Sequence, residues 1–125
     1  MKTKLTLSIL GIVNILQAIG YTIFAETASS FMFNTGQEAQ NLAVLLQYAI
    51  APAFLMIGLM QFLSRKLPVV DAKNILLAVI IAYLPLFVAF YYMMNSPLTN
   101  MGIQDFALDI IMFSLTLFTY FKPKE

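Results

Sequence analysis

The chain has 125 residues, 61% of them hydrophobic and 10% charged, with a mean hydropathy of +0.85. A water-soluble domain carries about 25% charged residues, so seven basic and six acidic side chains are too few to coat a globule. A net charge of +1 with no cysteine and no histidine excludes a nucleic-acid surface, disulfides, thiolate chemistry and imidazole acid–base catalysis. The chain reads as an all-α integral membrane protein without catalytic residues, cofactor or metal, and with the lipid bilayer as its main partner.

A transmembrane helix needs about 20 apolar residues to cross ~30 Å of hydrocarbon. Four segments meet that length, at about 5–25, 42–63, 75–94 and 103–121, which predicts one four-helix bundle over 1–125. The first follows "MKTK" and resembles a secretory signal, whose apolar core is typically ~7–15 residues. This one is longer and is interrupted by Asn14 and Gln17, so it is read as a retained span. The loop after it carries Glu26 and "SSFMFNTG", whose Phe31, Met32 and Phe33 are expected at the interface or over the mouth of the bundle.

The second span contains Gln47, Tyr48 and Pro52. It ends in "SRKLPVVDAKN", a tight turn in which Pro68 prevents one continuous helix. The third holds Tyr83 and Pro85, then Tyr91 and Tyr92 at an aromatic belt. Each inner proline frees one carbonyl a turn earlier, that of Tyr48 or Ile81, and predicts a kink. In lipid a freed carbonyl needs another partner. The fourth span opens on "QDFALDIIMF", with Asp105 and Asp109 four residues apart.

All seven basic residues lie before the first span (Lys2, Lys4), between the second and third (Arg65, Lys66, Lys73) or after the fourth (Lys122, Lys124). The other two loops have none. The excess of Lys and Arg on cytoplasmic loops then predicts both termini in the cytoplasm, at a bacterial inner membrane.

Counting ~1.5 Å per residue from Phe121 puts Asp109 ~18 Å above the cytoplasmic boundary. The stretch Ile110–Phe121 is itself only ~18 Å long and cannot cross ~30 Å, so Asp109 belongs inside the slab, with Asp105 nearer its outer edge. Asn14, Gln17, Gln47, Tyr48, Pro52, Tyr83 and Pro85 fall at middle-to-outer depths by the same count. Helical phase predicts four inward stripes. They are Gly11–Asn14–Gln17–Ala18–Tyr21, Gln47–Ala51–Phe54–Gly58–Gln61, Ala78–Ala82–Pro85–Ala89–Tyr92 and Asp105–Asp109–Met112–Thr116–Tyr120.

An acid at mid-span costs ~2.5–3.5 kcal/mol on insertion scales. No Lys or Arg shares its depth, which excludes a salt bridge within the chain. Asp109 is then protonated and hydrogen-bonded to Gln17, Tyr21 or Gln47, or it holds a cation, or it meets a basic group of another subunit. The candidate pocket is Asp109, Asp105, Asn14, Gln17, Tyr21, Gln47, Tyr48 and Tyr83, with Pro52 and Pro85 as kinks. The expectation is a small carrier or binding protein, homo-oligomeric or held by a membrane-protein partner. The alternative is a non-catalytic accessory or assembly subunit of a larger membrane complex. The residues carry no family signature.

Overall fold

The computed structural model describes residues 2–124. It is helical throughout: α1 (Thr3–Ile23), α2 (Ala25–Met32), α3 (Gln37–Leu63), α4 (Val69–Met94) and α5 (Ala107–Phe121). Short 3-10 turns extend α3 over Ser64–Lys66 and precede α5 over Ile103–Phe106. Four stretches, Thr3–Ile23, Gln37–Lys66, Val69–Met94 and Ile103–Phe121, are long and apolar enough to cross a membrane.

Local chemistry sets the ends of these helices. α3 starts five residues before the apolar run, because Gln37–Asn41 forms a polar first turn with a Gln37–Asn41 side-chain bond of 2.9 Å. Glu38 in that turn complements the helix dipole. α4 starts directly after Pro68, which holds φ at −55° and needs no N–H there. The eight-residue α2, which hydropathy does not separate from its loop, buries Ala25 and Ser29 one turn apart. Phe31 at its end points away, 77% exposed, while Met32 and Phe33 are half-buried.

α1 is the central helix and packs against α3, α4 and α5. Its contact with α3 is the most extensive and is made by glycine. A Cβ added to Gly11 would lie 2.7 Å from the Gly58 carbonyl, and one added to Gly58 would lie 2.8 Å from the Gly11 carbonyl. On its other side Leu7 and Leu10 join Ala72, Leu76, Tyr83 and Met112 in the apolar core. The buried hydroxyls of Thr6 and Thr119 tie α1 to α5 at 2.6 Å. Aromatic rings join α4 to α5, with Phe87 edge-on to Phe113 at 5.1 Å and Phe90 stacked on Phe106 at 4.0 Å.

The stripe expected on the third span is turned outward: Ala78, Ala82, Pro85, Ala89 and Tyr92 are all exposed. α4 instead buries Ala72, Leu76 and Tyr83, with Phe87 and Phe90 half-buried along the same side. The reason is steric. Small residues suit a close backbone approach such as Gly11–Gly58, whereas α4 and α5 are held apart by rings. The other three stripes face inward except for Asp105, which is exposed.

Both ends of the bundle are stitched. Lys2 and Lys124 pair at the end that holds the chain termini. At the opposite end the loop after α2 meets the loop after α4, with Asn34 N–H donating to the Leu98 carbonyl at 2.8 Å and Asn100 N–H to the Met32 carbonyl at 2.8 Å.

Candidate functional site

Asp109 lies in the first turn of α5 and is half-buried. The hydroxyl of Tyr83 donates to its Oδ1 at 3.5 Å, the outer limit of a hydrogen bond. Tyr83 comes from the buried face of α4 and is held by ring contacts to Phe87 at 5.4 Å and Phe113 at 5.6 Å. Tyr21, half-buried on α1 and packed on Phe54 at 5.5 Å, lies within electrostatic range of the same carboxylate. One phenol, that of Tyr83 on α4, thus contacts the acid of α5, and a second, Tyr21 on α1, lies within its electrostatic range. Among the described residues no Lys or Arg pairs with it.

Beside Tyr83, between α3 and α4, opens a cleft of about 130 Å³. Its polar lining is Asn14, Gln61 and the Tyr83 ring; Ile57, Val79 and Leu86 supply apolar walls. Asn14 Nδ2 donates to Gln61 Oε1 at 2.7 Å across α1 and α3. That bond uses one donor and one acceptor, leaving the Asn14 carbonyl oxygen and the Gln61 amide nitrogen without a side-chain partner among the described residues.

The remaining sequence candidates lie elsewhere. Gln47 is buried and donates to the hydroxyl of Ser29 on α2, so the partner of Asp109 is Tyr83 and not Gln47. Asp105 accepts the Gly102 N–H at 2.7 Å and caps the turn before α5. Tyr48 is 47% exposed on the outside of α3. Gln17 is half-buried on α1 and makes no side-chain hydrogen bond among the described residues. Pro52 and Pro85 are both exposed, and their helices continue past them.

Asp109, Tyr83 and Tyr21 are therefore brought together, with Asn14 on the cleft next to Tyr83. Two polar residues outside the sequence candidates form interhelical bonds, Gln61 with Asn14 on the cleft and Ser29 with Gln47 away from it. Gln61 was legible as the last member of the α3 stripe, whereas Ser29 sits in the short α2, where hydropathy gives no phase. Among the described residues no group of three acidic side chains gathers as a ready metal-ligand set. No family model, curated protein or solved structure matches the chain.

Proposed function

We propose that the protein is a small membrane carrier or binding protein whose cargo is a proton or a small cation engaged at Asp109. The observation that supports this reading is the carboxylate itself, on a helix long and apolar enough to span a membrane, with the long Tyr83 bond as its one side-chain hydrogen bond among the described residues and Tyr21 within electrostatic range. Intramembrane acids of this kind mark ion or proton pathways. A cleft of about 130 Å³ opens beside Tyr83, room for a few waters at ~30 Å³ each, although Asp109 is not part of its lining.

The site in this reading lies in a bacterial inner membrane with both termini in the cytoplasm. The seven basic residues support that orientation, since they belong to the end that holds both termini and the turn between α3 and α4.

The chain has no tryptophan and six tyrosines, so with Tyr48, Tyr91, Tyr92 and Tyr120 replaced by Phe its tyrosine fluorescence reports on Tyr21 and Tyr83. In lipid nanodiscs, titration with Na⁺, K⁺ or protons should change that emission with Asp109 intact and not in Asp109→Asn. An identical response from a folded Asp109→Asn protein would rule the proposal out.

A second reading, docking onto another copy or a larger membrane complex, is favoured by the outward stripe of Ala78, Ala82 and Ala89 on α4. Small residues on a span allow close helix approach. The absence of cysteine makes a single Ala82→Cys variant a clean probe. A disulfide-linked dimer at that position would favour self-association. A cross-link to another protein would favour the accessory role, and a monomer alone would count against both.

A further inference from the structure

The end of the molecule where the termini meet carries a cleft of about 380 Å³. Lys2, Lys4, Arg65, Lys66 and Lys124 line it, and no carboxylate does among the described residues. Three separate parts of the chain supply these cations: the residues around the start of α1, the 3-10 turn after α3 and the segment after α5. Lys2 and Lys124 are held together by their backbone pairing. Arg65 is fixed by Phe62, donating from Nη1 to its carbonyl at 2.8 Å while the guanidinium lies 4.0 Å over its ring.

A general bias toward basic residues at this end does not explain their convergence. Lys73 shares the bias, yet its ammonium lies over the Tyr120 ring at 4.9 Å and it is not part of the cleft. Gathered like charges repel, and an anion seated among them relieves that repulsion. Arg65 keeps guanidinium N–H groups beyond the one bound to Phe62, in the fork that suits a phosphate.

We infer that this cleft seats the phosphate of an anionic phospholipid headgroup. The surroundings favour a lipid over a free anion. Leu67 and Val69 line the cleft, and Leu5, Leu63 and Val70 beside it are 50%, 71% and 76% exposed, an apolar rim for acyl chains. The cleft lies at the ends of helices long enough to cross a membrane, which is headgroup level. Basic pockets between spans are the recurrent form of such sites. The inference does not depend on Asp109.

Native mass spectrometry of the purified full chain tests it, with phosphatidylglycerol, phosphatidylcholine or inorganic phosphate added in detergent. One equivalent of phosphatidylglycerol should bind, and Arg65→Gln or Lys124→Gln should weaken it about five-fold each, while Lys73→Gln leaves it unchanged. If Arg65→Gln fails to fold without its Phe62 contacts, the Lys2→Gln/Lys124→Gln pair gives the same reading, with about a 25-fold loss expected. Equal binding of phosphatidylcholine would overturn the proposal. So would equal weakening by Lys73→Gln, which means diffuse attraction, or equal affinity for inorganic phosphate, which means a free-anion site.

Discussion

Gly11 of α1 and Gly58 of α3 sit backbone to backbone, so close that a methyl group on either would overlap the carbonyl oxygen of the other. In lipid there is no hydrophobic force between helices, and such close packing is a main source of association. Substituting Gly11→Val or Gly58→Val should therefore cost ~1–3 kcal/mol by overpacking. Gly20, on the same helix with nothing within 4 Å of an added Cβ, is the internal control. Gly20→Ala should be neutral or stabilise by up to ~1 kcal/mol, as alanine favours helix. Reversible unfolding in mixed SDS micelles distinguishes the two positions. Equal losses at all three glycines would mean that the α1–α3 crossing is not what the glycines serve.

How far the sequence reaches can be judged on the same helices. Gly11, Ala18, Gln47, Ala51, Gly58 and Gln61 were identifiable as interface residues because small and polar groups repeat at helical spacing on spans that approach closely. α4 carries two competing stripes, one of small residues and one of Leu76, Tyr83 and Phe87. Choosing between them requires knowing that α5 and the 3-10 turn before it bring Phe113 and Phe106 to meet the bulky one. Phase likewise turned Asp109 toward the bundle, where it is half-buried, but left its partner open among Gln17, Tyr21, Gln47, a cation and another subunit. Tyr83 is its hydrogen-bond donor because the α4 face is the aromatic one. Ser29 was out of reach, since α2 lies in a loop short of any span-length pattern.

Gln47 and Ser29 form a buried pair whose two sides are unequal. Gln47 donates to Ser29, while its own carbonyl oxygen is buried without a partner. Ser29→Ala leaves the amide nitrogen orphaned as well and should destabilise by ~1–3 kcal/mol. Adding Gln47→Leu removes both orphaned groups and should recover most of that loss, since replacing both partners by apolar groups is nearly neutral. The unfolding free energies of the single and double variants decide this. A double variant worse than Ser29→Ala would show that Gln47 has a further role.

Asn14 and Gln61 bridge α1 and α3 one turn from the glycine contact, at 2.7 Å. Interhelical hydrogen bonds in membranes average ~0.6 kcal/mol and reach ~1.7 kcal/mol. A double-mutant cycle of Asn14→Ala and Gln61→Ala should return a favourable coupling in that range. The pair also lines the cleft beside Tyr83, so either single variant should alter the tyrosine emission seen on adding protons or small cations. Additive stabilities together with an unchanged emission would reduce the pair to a surface contact.

Asp105 and Asp109 stand one helical turn apart and do different work. Asp105 is exposed and accepts the Gly102 N–H at 2.7 Å, so it starts the turn that leads into α5. Losing a cap of this kind costs ~0.5–2 kcal/mol. Asp109, among the described residues, has only the long bond from the Tyr83 phenol. Asp105→Ala should therefore lower stability by about 1 kcal/mol and leave the cation- or proton-dependent emission intact. Asp109→Asn should do the reverse, keeping or raising stability while abolishing the response, because an amide keeps the shape and accepts the Tyr83 hydroxyl but carries no charge. Stability by SDS titration and emission by tyrosine fluorescence, read on both variants, separate the roles. Loss of the response in Asp105→Ala with retained folding would move the site toward the end of the bundle and away from Tyr83.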